Sequence, residues 1–312
     1  MADIQRIETR DAYGKAVAEL GKVNDKVVVL DADLYRSTKA SMFGDLFPDR
    51  FFDMGMSEQD MISTGAGLAA TGFKPFLNSF AMFLLGRAYD QIRLQLCYVP
   101  MNVILGGSSA GLTQGPDGAS HQSFDDVALM RGLPNMTVLV PADGFETEKC
   151  VWAAAELHGP VYIRLGRYPT PVLFDDSYKF EIGKANVLRQ GRDVAILSNG
   201  HMTARALDAA EMLAKEGISA SVVNVASVKP FDKDTVWAVA DAAKAVVTVE
   251  EASVIGGLGS AVAEALAEKR LGPLVRMGMQ DCFGQSGYAD QLLECYGLTA
   301  THIADTAKTA LR

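Results

Sequence analysis

One acidic side chain stands out in the stretch FFDMGMSEQDMISTGAGLAATG, residues 51–72. Glu58 follows a Met-Gly-Met-Ser turn and begins a predicted helix that is rich in Gly and Ala. A surface helix does not need so many small residues, and a buried core helix does not normally begin with a charge. A positioned carboxylate can give or take a proton. Glu58 is therefore our first candidate for an acid–base residue.

A polar loop with the sequence GPDGASHQ, residues 115–122, carries two more candidates. The loop follows a predicted strand, and ligands of open α/β sheets bind beyond the carboxyl ends of strands. His121 and Asp117 therefore predict a polar binding site. Two other interpretations stay open: a buried or capping role for His121, and a turn in which Asp117 bonds its own backbone.

Two arginines and two phenylalanines lie near predicted element ends. Arg10 and Arg167 could each clamp an anion with the fork of guanidinium donors, or could each form a surface salt bridge. One ring of Phe80 and Phe83 could stack on a planar heteroaromatic ligand. Aromatic residues three positions apart at such a junction also suit an ordinary core, so the sequence leaves both interpretations open.

Several familiar catalytic and metal-binding patterns are missing from the sequence. It contains no CxxC and no HxxxH, and its four cysteines are scattered. The glycine-rich GGLGS, residues 256–260, does not match the known phosphate-binding motifs and is interpreted as a tight strand-to-helix connection. The sequence therefore predicts no metal site.

The composition restricts the class of protein. The chain has 312 residues, is 49% hydrophobic, and carries a net charge of −9 without a basic run, which argues against nucleic-acid binding. Its apolar runs are shorter than the ~18 residues that span a membrane. The polar N-terminal sequence does not resemble a signal peptide, and scattered cysteines are typical of reduced proteins. We expect a cytoplasmic protein.

Strand and helix patterns alternate along the chain, which predicts an α/β fold of two doubly wound domains with mostly parallel sheets. A stretch with two prolines and no helical period separates the two halves. The predicted units are a first domain at 1–168, a linker at 169–186 and a second domain at 187–312. The main predicted elements of the first domain are helices 10–22, 84–98, 124–132 and 143–157, and strands 26–31, 74–80, 101–107, 136–140 and 160–165. In the second domain, the stretch VKPFD, residues 228–232, is predicted to be a turn.

A series of motifs, in register, resembles the pyrimidine-binding half of transketolases. In chain order they are MGMSEQDMISTGAGLAATGFKPF, SFAMF, RAYDQIR, GPDGASHQ, LPNMTVLVPAD and IRLGR. The later stretches DVAILSNGHMTARALDAAEML and VEEASVIGGLGSAVAEAL resemble the C-terminal domain of the same family. The resemblance covers essentially the whole chain. It implies a pyrimidine-binding domain for thiamine diphosphate at 1–168 and a transketolase C-terminal domain at 187–312.

The resemblance also implies roles for the candidate residues. Glu58 matches the glutamate that hydrogen-bonds the N1′ atom of the cofactor's aminopyrimidine. Phe83, with Phe80 nearby, matches the ring that stacks on that pyrimidine. His121 and Asp117 match the pair that contacts the hydroxyls of the donor sugar, with His121 counted among the catalytic residues.

A second set of matches concerns the substrate phosphate. Arg167, Arg10 and Ser37 match residues that hold the acceptor's phosphate. However, a further histidine of the family's phosphate site has no counterpart in ILGGSSAGL, residues 104–112. The sequence therefore leaves open whether the sugar is phosphorylated, sulfonated, branched or deoxygenated.

The family's GDG signature, which binds the diphosphate and Mg²⁺, occurs nowhere in the sequence. The resemblance then implies the C-terminal subunit of a two-chain transketolase, which works with an N-terminal subunit that holds Mg²⁺ and the diphosphate. We also expect pairing of this chain with itself, in an α2β2 assembly. Three alternatives stay open: the β subunit of a 2-oxo acid dehydrogenase, a relative of deoxyxylulose-phosphate synthase, and a scaffold chain without activity.

Overall fold

The computed structural model describes residues 5–269 and 272–312, and over these residues it has fourteen strands and thirteen α-helices. The strands are β1 Arg6–Ile7, β2 Val27–Asp31, β3 Phe51–Asp53, β4 Lys74–Phe80, β5 Ile104–Ser108, β6 Thr137–Leu139, β7 Val161–Arg164, β8 Thr170–Pro171, β9 Asn186–Arg189, β10 Val194–Ser198, β11 Ala220–Asn224, β12 Ser227–Lys229, β13 Ala245–Ser253 and β14 Leu274–Met279. The helices are α1 Thr9–Val23, α2 Tyr35–Thr38, α3 Ser41–Gly44, α4 Glu58–Ala70, α5 Ala81–Arg87, α6 Tyr89–Gln91, α7 Asp126–Arg131, α8 Gly144–Glu156, α9 Met202–Lys215, α10 Lys233–Asp241, α11 Leu258–Lys269, α12 Ala289–Cys295 and α13 Ala300–Ala310. Residues Pro48–Arg50 and Leu112–Asp117 form 3₁₀ turns, and Ile92–Tyr98 forms a π-helix.

The first sheet has the strand order β12-β6-β7-β5-β4-β2-β3. Its strands are parallel, except that β12 runs antiparallel to β6. Alternate residues of β2 point to opposite faces, and both faces are covered. Val27 and Val29 pack with α1 and α8, whereas Val28 and Leu30 pack with α4, α5 and α7. Burial on both faces explains why this strand is continuously apolar.

The second sheet has the strand order β14-β13-β10-β11-β9, and only the edge strand β9 runs antiparallel to its neighbour. Helices α9, α12 and α13 cover one face, and α10 and α11 cover the other. The prediction of an α/β fold with mostly parallel sheets is therefore confirmed. The domain boundaries at 168 and 187 stay a prediction.

Two local predictions differ from the structure. The predicted helix 84–98 is divided into α5, α6 and the π-helix. The stretch VKPFD, expected to be a turn, begins within β12, which pairs Ser227 with Leu139 of the first sheet. Thus a strand from the second half of the chain extends the sheet of the first half.

No helix in the described part of the chain is long and apolar enough to cross a membrane.

The first sheet brings the candidate residues to the edge that is formed by the carboxyl ends of its strands. Parallel strands have their carboxyl ends on the same side, where ligands of such sheets bind. The candidates lie in the segments that leave this edge: Ser37 after β2, Glu58 after β3, Phe80 and Phe83 at the end of β4, Asp117 and His121 after β5, and Arg167 after β7. Arg10 lies in the first turn of α1.

Candidate cofactor and substrate site

Glu58 is the first residue of α4, and it is only 3% exposed. A helix N-terminus favours a negative charge, because its free backbone N–H groups carry partial positive charge. Arg87 Nη1 donates to both carboxylate oxygens, at 2.9 Å from Oε1 and 3.2 Å from Oε2. The helix N-terminus therefore favours the charge of Glu58, and the Arg87 guanidinium holds the carboxylate in place.

The small residues of α4 have a local explanation. A Cβ atom added at Gly65 would lie 2.6 Å from Leu77 Cδ1, so a larger residue would push α4 away from β4. At Gly67, by contrast, an added Cβ would meet no atom within 4 Å. The glycine at position 65 lets the helix that begins with Glu58 lie directly on the sheet.

Arg87 is a site residue that the sequence analysis did not single out. Its guanidinium carbon lies 4.4 Å from the centroid of the Phe83 ring, close enough for a cation–π contact. Its carbonyl oxygen accepts a hydrogen bond of 2.9 Å from Gln59 Nε2. The charged end of α5 was visible in the motif RAYDQIR, but the direction of the side chain was not.

Three rings lie together beside this pair. Phe80 and Phe83 are nearly parallel, with centroids 6.0 Å apart. The His121 ring meets both edge-on, at 5.1 Å from Phe83 and 6.2 Å from Phe80. Phe80 is buried and Phe83 is half-buried. The structure thus brings His121 to the phenylalanines, and Phe83 is the ring with more accessible surface.

Asp117 is held by two donors rather than by its own backbone. Its Oδ2 atom accepts hydrogen bonds of 2.6 Å from Gln114 Nε2 and 3.0 Å from Arg167 Nη1. The side chains of Asp117 and Arg167 are 39% and 36% exposed, so both are accessible to a polar ligand. Gln114 is a second residue that the sequence analysis missed, since nothing in its spacing marks it.

Arg10 and Ser37 also lie together, at the neighbouring part of the edge. Arg10 Nη1 donates to the Ser37 carbonyl at 2.9 Å, and its Nε donates to Glu8 Oε2 at 2.7 Å. The backbone N–H of Arg10 donates to the Gly166 carbonyl at 3.3 Å, next to Arg167. An anion that bound to Arg10 would therefore compete with the Glu8 carboxylate.

The turn that carries Ser37 is anchored by a buried carboxylate at the end of β2. Asp31 accepts hydrogen bonds of 2.6 Å from the Leu34 N–H and 2.6 Å from the Thr38 hydroxyl. Its side chain is inaccessible, and this burial raises the pKa of Asp31 to about 7.

The Asp31 carboxyl predicts a pH dependence of stability. Because its pKa is raised from about 4 in the unfolded chain, the folded state binds the proton more tightly. The Asp31 carboxyl therefore contributes most to folding stability below about pH 4, and this contribution is lost as the pH rises through 7. When the pH rises from about 5 to about 8, the free energy of unfolding of the wild type should fall by about 2–3 kcal/mol more than that of Asp31→Asn, as measured by urea titration. The exposed control Asp49→Asn should show no such difference, and parallel curves for wild type and Asp31→Asn would refute the assignment.

The predicted site residues thus form three groups along one edge. Glu58, Phe83, Phe80 and His121 form the first, with Arg87 added by the structure. Asp117 pairs with Arg167, and Arg10 contacts Ser37. Among residues 5–269 and 272–312, no three His, Cys, Asp or Glu side chains lie together as a potential metal site. The roles of the individual residues stay predictions.

Comparison with known proteins identifies the family. The family described as transketolase, pyrimidine binding domain, matches residues 5–171, and the one described as transketolase, C-terminal domain, matches residues 183–303. A Methanocaldococcus jannaschii protein, named as a transketolase C-terminal section, is 46% identical, with 95% of this chain and 93% of the relative covered.

Two further relatives agree with this. The 6-deoxy-6-sulfo-D-fructose transketolase subunit SqwH of a Clostridium species is 45% identical, with 96% of this chain and 92% of the relative covered. A solved structure, described as an inactive β4 tetramer of a split-gene transketolase, is 50% identical. It superimposes with a TM-score of 0.90, and 98% of each chain is covered. The chain therefore belongs to the transketolase family, and it contains the pyrimidine-binding and C-terminal domains of that family.

Proposed function

We propose that this chain is the C-terminal subunit of a two-chain, thiamine-diphosphate-dependent transketolase. The enzyme moves a two-carbon ketol unit from a ketose, or ketose phosphate, donor to an aldose acceptor. The observation that supports this most directly is the first group of the site, in which Arg87 contacts both the buried Glu58 carboxylate and the half-buried Phe83 ring. The full-length match to split transketolase chains supports the same conclusion.

The donor set fits the pyrimidine half of thiamine diphosphate. Glu58 offers carboxylate oxygens to a ring N–H, and Phe83 offers an aromatic face to a flat heterocycle. Bound thiamine diphosphate supplies the electron sink that allows a carbon–carbon bond next to a carbonyl to break and form. The partner subunit holds the diphosphate and Mg²⁺ in this proposal.

The residues of this chain then have separate tasks. Glu58 accepts a hydrogen bond from N1′ and shares its proton, and Arg87 keeps the carboxylate in position. His121, whose Nδ1 lies 2.9 Å from the Ser120 hydroxyl, presents its other ring nitrogen to a substrate hydroxyl. Asp117 accepts from a second hydroxyl of the donor sugar, and Phe80 supports the Phe83 ring from behind.

The substrate carries an anionic group at the end away from the reacting carbonyl. Arg167, with Arg10 and Ser37 beside it, offers guanidinium donors in a geometry that suits phosphate and sulfonate oxygens alike. Each arginine already pairs with a carboxylate, Arg10 with Glu8 and Arg167 with Asp117, so the anionic group competes with these carboxylates for the guanidinium donors. One relative is named for a sulfonated fructose, so a sulfonated sugar should be included among the donors tested.

The working enzyme is an assembly in the cytoplasm. We propose that two copies of this chain pair with each other and with two N-terminal subunits, as α2β2. A related split-gene chain is described as an inactive β4 tetramer, which supports self-association without activity when the partner is absent.

The decisive experiment mixes this chain with its N-terminal partner, Mg²⁺ and thiamine diphosphate. Ketol transfer is followed with phosphorylated, sulfonated and unmodified ketoses as donors and aldoses as acceptors. We expect transfer only in the complete mixture. Decarboxylation of pyruvate in place of ketol transfer would favour one of the related enzymes, and the lack of thiamine diphosphate binding would favour a scaffold.

Asp117 provides a test of donor recognition. In the assembled enzyme, Asp117→Ala should raise KM for the ketose about 10- to 100-fold, the equivalent of about 1.4–2.8 kcal/mol of lost sugar binding. Thiamine diphosphate affinity should not change, because Asp117 belongs to the substrate groups of the site. Asp125→Ala, an exposed aspartate just beyond the same loop, serves as the control. A normal KM for Asp117→Ala would show that the sugar is recognised elsewhere.

A further inference from the structure

The loop that carries Asp117 and His121 is fastened by the second half of the chain. We refer to residues 111–123 as the recognition loop. Glu251 Oε1, on β13, accepts a hydrogen bond from the Thr113 N–H, and Glu251 Oε2 lies 2.5 Å from His201 Nε2. Gln122 Nε2 donates at 3.0 Å to the carbonyl of Gln285, also in the second half.

The packing around these hydrogen bonds is tight. Gly111 has a φ of +87°, and an added Cβ there would lie 2.5 Å from the Glu251 carboxyl carbon. Gly118 has a φ of +77°, and an added Cβ there would lie 2.5 Å from Ser286 Oγ. A side chain is therefore excluded at both glycines by backbone conformation and by lack of space. The recognition loop is therefore packed closely against the second half at its start and in its middle.

The anchor is buried and charged. The side chain of Glu251 is 3% exposed, and that of His201 is 8% exposed. Burial opposes the ionised form, but the pairing with His201, the nearby Arg164 and the Thr113 N–H together hold the pKa of Glu251 below its ordinary value. The carboxylate is therefore charged at neutral pH and is a strong acceptor for the loop backbone.

A second connection runs through the end of β7. Arg164 Nη2 donates to the carbonyl of Ser123, in the recognition loop, at 3.2 Å and to the carbonyl of Glu251 at 2.9 Å. One guanidinium thus joins the end of the loop to the strand that carries its anchor.

We propose that Glu251, oriented by His201, is a positioning residue through which the C-terminal half sets the geometry of Asp117 and His121. The C-terminal half thereby controls the affinity of the enzyme for its sugar donor, although none of its side chains belongs to the three groups of the site. This inference rests on the proposed function, since it assigns the recognition loop to sugar binding.

The first arm of the test uses Glu251→Ala, assembled with the partner subunit. Removal of the carboxylate leaves the buried Thr113 N–H without its acceptor. We expect KM for the ketose donor to rise about 10- to 100-fold, while the dissociation constant of thiamine diphosphate, measured by calorimetry, stays within about twofold. Glu251→Gln keeps an acceptor oxygen for Thr113 and should recover most of the donor affinity.

The second arm measures hydrogen exchange in the isolated chain, where no activity is needed. Amides of residues 111–123 should exchange at least about tenfold faster in Glu251→Ala than in wild type. The matched control is Glu250→Ala: the neighbouring buried Glu250 binds the backbone N–H groups of Leu258 and Gly259 within the second half. In that variant the exchange should increase at the start of α11, and the recognition loop should stay protected.

The outcomes separate the two claims. Unchanged exchange of the recognition loop in Glu251→Ala would overturn the anchor, and faster exchange with an unchanged KM would overturn its role in sugar binding. If Glu251→Ala does not fold, Glu251→Asp carries the test, because its carboxylate is one methylene shorter than the gap between β13 and the Thr113 N–H requires: faster loop exchange with a raised KM supports the proposal, and wild-type values for both overturn it. Absence of ketol transfer by the wild-type assembly would instead contradict the proposed function, and with it the role in sugar affinity.

Discussion

Replacing Glu58 with Ala should abolish most of the ketol transfer by the assembled enzyme while leaving the chain folded. The carboxylate is the acceptor for the pyrimidine N1′ in the proposed function, and its position at the start of α4 leaves no other carboxylate equally buried in that turn. We expect a loss of about 3–5 kcal/mol of transition-state stabilisation, which is about 10²- to 10⁴-fold in kcat/KM. Steady-state kinetics with the complete assembly provides the measurement.

Matched variants separate chemistry from folding. Glu58 pairs with Arg87, whose side chain is 52% exposed, so loss of the pair should cost only about 1 kcal/mol of folding stability or less. Asp60→Ala removes an exposed carboxylate from the same helical turn and should keep near-normal activity. Glu58→Gln keeps the shape but cannot share the proton, and it should resemble Glu58→Ala. A Glu58→Ala enzyme with wild-type kcat/KM would overturn the assigned role.

The sheet of the first domain could be predicted well because its strands are short, continuously apolar and separated by helical patterns. β4 at Lys74–Phe80 coincides with the predicted strand 74–80. The predicted helix 84–98 is less accurate, because Gly86 and Tyr89 lie where α5 ends and α6 begins, and the chain then continues as a π-helix. Hydrophobic spacing alone does not distinguish a continuous helix from such a divided one.

Part of the candidate site could be predicted, because the carboxyl ends of parallel strands lie at the same edge of a sheet. The rule that ligands bind beyond the carboxyl ends of strands placed the loop with Asp117 and His121 at a binding site. Only the family resemblance grouped Glu58 and Phe83 with that loop. The family resemblance then supplied the ligand. What the sequence could not supply is the partner of each side chain. Arg87 and Gln114 donate to Glu58 and Asp117 from positions that have no distinctive spacing.

Contacts between the two halves were the least predictable feature. Glu251 lies 138 residues from Thr113 in the chain, and no local pattern connects them. The stretch VKPFD, residues 228–232, was predicted to be a turn, yet its first two residues belong to β12, which pairs with β6 at the edge of the other sheet. Such contacts depend on how two folded units pack. In a single sequence, the segments that make these contacts have the same apolar pattern as any other buried strand.

The buried Asp126 predicts the largest effect on stability. Asp126 Oδ2 accepts hydrogen bonds of 2.7 Å from Arg164 Nε and 2.6 Å from the Tyr162 hydroxyl, and Asp126 is 0% exposed. Asp126→Ala would leave the guanidinium of Arg164, itself 8% exposed, without the carboxylate that is hydrogen-bonded to its Nε atom. Removal of one partner from a buried ion pair costs about 3–5 kcal/mol. Urea unfolding at neutral pH should show this loss of unfolding free energy.

An exposed ion pair provides the control for Asp126. Lys233 and Glu268 lie 2.6 Å apart with side chains 47% and 49% exposed, so Glu268→Ala should cost less than about 1 kcal/mol. Arg164 also donates to the carbonyls of Ser123 and Glu251, so Asp126→Ala should loosen the recognition loop as well as the core. If Asp126→Ala lost no more unfolding free energy than Glu268→Ala, solvent or a rearranged neighbour would be compensating the charge of Arg164. The Arg164 guanidinium could then not be a rigid connection between β7, the recognition loop and β13.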